Sequence, residues 1–127
     1  MKRLLIVTAA IELGAGAALI CVPSMATGLL LGAPLDTPAA LTVARAGGSG
    51  LFSLGMACWL AHGDAHNRAS AGLVDALMFY NVAVIVVLAY AGVGLGLSSV
   101  VLWPAVILHI AMAAWCIAGR SSRRVRL

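Results

Sequence analysis

The amino-acid sequence predicts an all-α membrane protein, a four-transmembrane-helix bundle with both termini on the cytoplasmic side. Three observations carry that expectation. Of the 127 residues, 63% are hydrophobic and only 9% charged, where a soluble domain has about a quarter charged. So few charges cannot cover a water-soluble surface, and a mean hydropathy of +1.08 agrees. Second, the apolar residues gather into four runs, at about 4–22, 39–61, 71–91 and 100–118, each near the roughly 20 residues a membrane helix needs. Third, the basic residues segregate. With the termini inside, Lys2, Arg3, Arg68, Arg120, Arg123, Arg124 and Arg126 all fall on the cytoplasmic side, and the two outer loops have no lysine or arginine. That is the asymmetry that orients membrane proteins.

The first run, LLIVTAAIELGAGAALICV, follows Lys2-Arg3 and stops at Pro23. Glu12 interrupts its centre and no small-x-small cleavage site follows closely, so an uncleaved span is expected rather than a signal peptide. Residues 24–38, SMATGLLLGAPLDTP, hold an apolar core too short to span, punctuated by Gly28, Gly32, Pro34 and Pro38. They read as a short interfacial helical turn and a loop. The second run carries Arg45 and, directly after it, Ala46, Gly47, Gly48, Ser49 and Gly50. A polar loop at 62–70 separates the halves. The third run ends in a turn with glycines at 92, 94 and 96. The fourth begins at about Val100, with Pro104 near its start, which a bundle tolerates, and runs into a basic tail at 119–127. The chain thus reads as one integral membrane domain, 1–127. Trp59 and Trp115 near the inner boundary, with Tyr90 and Trp103 near the outer one, form an aromatic belt.

The net charge of +4 does not point to nucleic acid, because no patch interleaves basic and aromatic residues. The basic ends suit orientation and anionic headgroups. Cys21, Cys58 and Cys116 form no C-x-x-C pair; Cys21 lies near the face opposite the other two, and all three read as small packing residues. Cys58, His62 and His66, with Asp64, recur near helical spacing, but Gly63 and a position past the membrane boundary favour a solvated loop over a metal site. No metal and no cofactor are expected. His109 lacks a second histidine at matching depth within one chain for a b-type haem, and a hydrogen bond to Tyr80 or Asn81 is the expectation for it. No catalytic triad, phosphate loop or zinc-hydrolase motif occurs, so no enzyme activity is expected.

The chemistry concentrates in mid-membrane. Glu12, Asn81 and His109 fall near the centres of their runs, Tyr80 beside Asn81, and Arg45 about 7 Å toward the outer face at 1.5 Å per residue. Thr8, Ala9, Glu12, Ala15 and Gly16 share one helical stripe; Arg45, Gly48, Ser49, Phe52, Gly55 and Met56 share another. Small residues let membrane helices approach, and a charge facing lipid costs about 2.5–3.5 kcal/mol even on the lenient insertion scale. A Glu12–Arg45 ion pair joining the first two spans is therefore expected. Glu12, Arg45, Tyr80, Asn81 and His109 then form either a satisfied polar core that holds the helices in register or a site for a proton, ion or small polar ligand. Asp75, shallower, is expected to reach headgroups or the loop around Arg68.

The segments I-E-L-G-A-G at 11–16, Pro23, L-L-L-G-A-P at 29–34, A-R-A-G-G at 44–48, L-G-M-A-C-W-L at 54–60, F-Y-N at 79–81 and L-W-P-A-V-I-L-H at 102–109 together resemble small, uncharacterised four-span bacterial inner-membrane proteins. That resemblance covers most of the chain and implies the architecture and a multi-pass location in the bacterial inner membrane, without an assigned chemistry. A coarser resemblance is to small multidrug resistance transporters, four-span proteins with a glutamate in the first helix, matched here by Glu12; Arg45 and His109 depart from that pattern. The expected function is a small non-enzymatic membrane protein, an accessory subunit or binding module. The alternative is a proton-coupled transporter of small, cationic compounds, dimeric, with Glu12 as carrier. Expected partners are the lipid bilayer and a homo-oligomer or larger membrane complex.

Overall fold

A computed structural model of the chain describes residues 1–64 and 67–124, with 121–124 as backbone only. The described residues form five α-helices and no strand: α1 (Lys2–Cys21), α2 (Pro23–Leu31), α3 (Pro38–Ala61), α4 (Arg68–Val93) and α5 (Leu102–Arg124), with a 3-10 turn at His62–Asp64. Local chemistry sets each boundary. Val22 leaves helical geometry at φ −136° because Pro23 crowds the residue before it, and Pro23 then opens α2 at a position that needs no N–H. Gly32, at φ 73°, closes α2, and a Cβ there would meet the Ser98 carbonyl oxygen at 2.1 Å. Thr37 caps α3 by accepting from the Ala40 N–H at 3.2 Å, and Asn67 caps α4 by accepting from that of Ser70 at 2.7 Å. Ser99 accepts the N–H groups of Val101 and Leu102. That cap moves the start of α5 to Leu102, two residues beyond the expected boundary.

Four long helices run alternately up and down in two pairs. Along α1 and α3, Gly16 lies against Gly48 and Phe52, and Gly55 against Leu13 and Ala9, which makes the pair antiparallel. Gly92 of α4 faces Leu102 and Trp103 of α5, while Asp75 of α4 pairs with Arg120 of α5 at 3.1 Å, so this pair is antiparallel too. At one end all four helices share a core of Leu4, Leu5, Ala9, Cys58, Val74, Leu77, Met112 and Cys116. Met1 packs there, 3.8 Å from where a Gly119 Cβ would lie, so both ends of the described chain meet at this end of the bundle. At the other end Leu30 and Leu31 of α2 pack against Leu88, Leu102 and Val106, and Ser99 donates to the Leu30 carbonyl at 2.7 Å. The short helix expected at 24–38 is thus a two-turn plug that crosses from the first pair onto the second.

Among the described residues, three helices are long and apolar enough to cross a membrane: α1, α4 and the Leu102–Arg120 part of α5. The expected fourth, α3, is long enough but not among them. Arg45 and the polar or featureless residues Gly47, Gly48, Ser49, Gly50 and Ser53 dilute its apolar content. Its large side chains nevertheless point outward, with Val43 72% and Leu60 76% exposed, as do Phe79, Val86 and Ile107 on the other helices. Trp59, Tyr90, Trp103 and Trp115 are exposed as well, two at each end of the bundle.

Candidate functional site

Glu12 sits midway along α1 and is 3% exposed. Its neighbour across the helix pairs is Tyr80 of α4, whose hydroxyl donates to Glu12 Oε2 at 3.0 Å. The Tyr80 ring stands edge-on to the His109 ring of α5, centroids 5.9 Å apart. His109 Nδ1 is 2.8 Å from Asn81 Oδ1, and the Asn81 amide donates to the Leu77 carbonyl at 2.7 Å. Since an amide oxygen only accepts, this contact places a proton on Nδ1. Glu12, Tyr80, His109 and Asn81 therefore form one polar belt across α1, α4 and α5. The expected hydrogen bond of His109 is present, with Asn81 as partner.

The expected Glu12–Arg45 ion pair is absent. Glu12 faces α4, whereas Arg45 is exposed on α3 and donates its Nε–H to the Ile20 carbonyl at 3.2 Å. The cause is register. The antiparallel glycine seam sets Arg45 level with Ile20, eight residues beyond Glu12, or about 12 Å along the helix at 1.5 Å per residue. Arg45 instead caps α1: the last carbonyls of a helix lack intrahelical partners, and a cation is favoured at that end of the helix dipole. The small-residue stripes hold only in part. Gly16, Gly48 and Gly55 are buried in the seam, while Ala15, Ser49, Phe52 and Met56 are exposed.

Thr8 adds a feature that sequence reasoning placed on the right face without weighing. It lies one turn from Glu12, is 2% exposed, and its hydroxyl is buried without a hydrogen-bond partner. A helical threonine ordinarily returns its hydroxyl to the carbonyl four residues back, and leaving one buried and unpaired costs about 1–3 kcal/mol. The signal in the sequence was its four-residue spacing from Glu12.

Two peripheral expectations are also revised. Asp75 pairs with Arg120 rather than with the loop around Arg68, because the antiparallel α4–α5 register brings the end of α5 beside it. Cys58 and Cys116 are packing residues, fully buried in the shared core, but Cys21 is exposed. His62 turns back on Trp59, ring centroids 4.8 Å apart; His66 and Arg126 lie outside the described residues, as do the side chains of Arg123 and Arg124. Comparison with family models, with curated proteins and with solved structures finds no match to this chain.

Proposed function

We propose that the chain is a small, non-enzymatic integral membrane protein of four spans, a binding module whose site is the polar belt around Glu12. The observation that carries this reading is the partnering of Glu12: a carboxyl midway along its span, almost fully buried, held by a neutral phenol and, among the described residues, by no cation. Intramembrane ionisable groups are functional candidates by default, and one already neutralised by arginine would be a poor one. The unpaired Thr8 hydroxyl one turn away supplies a further polar group whose hydrogen-bonding capacity is unused.

The four-span reading rests on α3 lying antiparallel along α1. At 24 residues it extends about 36 Å, and a helix packed on a spanning helix for most of its length shares its depth. Arg45 then stands at the membrane boundary, where its charge reaches headgroups. The basic residues gather at the end that holds Met1 and Arg120, and the positive-inside rule makes that end cytoplasmic.

A second reading, proton-coupled carriage of a small cationic compound, is favoured by the freedom of Glu12 from Arg45. Proton exchange and cation binding would then compete at one carboxyl. The test is uptake of tetraphenylphosphonium into proteoliposomes under an imposed pH gradient. Concentrative uptake lost in Glu12→Gln supports carriage. Saturable binding without uptake, also lost in Glu12→Gln, supports the binding module. Equal behaviour of the two proteins in both assays contradicts a site at Glu12.

A further inference from the structure

We propose that Arg45 holds the phosphate of one acidic phospholipid at the α1–α3 seam. This is independent of the role of Glu12. Arg45 is exposed on α3, and its Nε–H is fixed on the Ile20 carbonyl, one residue before α1 ends at Cys21. A guanidinium has five N–H donors; with Nε committed to Ile20, the donors on the two Nη atoms are those that can grip phosphate oxygens in pairs. The neighbouring hydroxyls do not compete for these donors. Thr42 donates to the Pro38 carbonyl and Ser49 to the Arg45 carbonyl, so both are turned back into their own helix.

Charge complementarity selects the occupant. No lysine or arginine occurs between residues 13 and 44 or between 76 and 119, so Arg45 is the one cation at its end of the bundle among the described residues. Level with the last turn of α1, it sits where the acyl region gives way to headgroups. A net-negative lipid brings a phosphate to that depth without a competing choline or ethanolamine cation. Among the described residues, the acidic group at this end is Asp36, which lies in the loop before α3 and is not paired with Arg45.

The experiment is native mass spectrometry of the full chain released from phosphatidylcholine nanodiscs doped with phosphatidylglycerol. Wild type should retain phosphatidylglycerol with about tenfold higher apparent affinity than Arg45→Gln, the scale of one lost charge-assisted contact. The two should melt alike in phosphatidylcholine alone, where Gln can still donate to Ile20. Should Arg45→Gln fail to fold, Arg45→Lys replaces it, keeping the charge and losing the paired Nη donors, and its retention should again fall below wild type. Equal retention overturns the proposal. So does a dimer that is lost in both Arg45→Gln and Asp36→Asn, because the occupant would then be a second copy of the chain.

Discussion

At the residue scale, the decisive fact is what a buried carboxyl was given as a partner. Ion pairing would have satisfied Glu12 while fixing its state; the Tyr80 hydroxyl satisfies one oxygen and brings no charge of its own. Polar contacts between membrane helices are individually modest, averaging about 0.6 kcal/mol, so the phenol is a latch rather than a rivet. Tyr80→Phe should therefore cost roughly 0.6–1 kcal/mol in reversible unfolding from detergent micelles. A loss of several kcal/mol would mean that the hydroxyl is a mainstay of the fold. Arg45 illustrates the complementary case. It is a lone cation in an apolar run whose local partner is a helix-terminal carbonyl 25 positions away, a contact no spacing in the sequence reveals.

At the element scale, the α1–α3 pair is held by backbone proximity. A Cβ on Gly48 would approach Leu19 Cβ at 2.8 Å and the Gly16 carbonyl oxygen at 2.9 Å, whereas a Cβ on Gly47 would meet nothing within 4 Å. Adjacent glycines thus make opposite predictions. Gly48→Ala should destabilise by about 1–3 kcal/mol through overpacking. Gly47→Ala should be neutral or stabilising by up to about 1 kcal/mol, since alanine loses less freedom in a helix than glycine. Thermal unfolding of both variants in one detergent checks the pair, and a similar loss in each would contradict the seam. The seam also explains why α3 looks less like a span than its neighbours. Residues that permit close approach to α1 are the residues that lower its apolar content, so packing and hydropathy conflict in this one helix.

At the scale of the molecule, two antiparallel pairs meet at a shared apolar end and are bridged in the middle by the polar belt. Much of this was legible in the sequence. Four apolar runs marked the four long helices to within three residues at most boundaries, and Glu12, Tyr80, Asn81 and His109 were singled out because each is a polar group in mid-run. What stayed hidden was register and rotation. Depth counted from run boundaries put Arg45 too near Glu12, because α3 begins well beyond the end of α1. Nor can spacing alone say which helix a stripe faces: Glu12 shares its side of α1 with Gly16, yet one turns to α4 and the other to α3. The exposed Cys21 at the end of α1 offers a handle on orientation. An impermeant maleimide added to sealed cells should label it from outside, and labelling only after permeabilisation would reverse the assignment.

The most direct measurement of the central claim counts protons. Adding tetraphenylphosphonium to purified protein in weakly buffered detergent should release up to one proton per chain from wild type as the cation displaces it from Glu12. Glu12→Gln should fold alike and release none. Identical proton release by the two proteins, or a cation affinity unchanged by the substitution, would contradict Glu12 as the centre of a binding site and leave the belt a structural clasp.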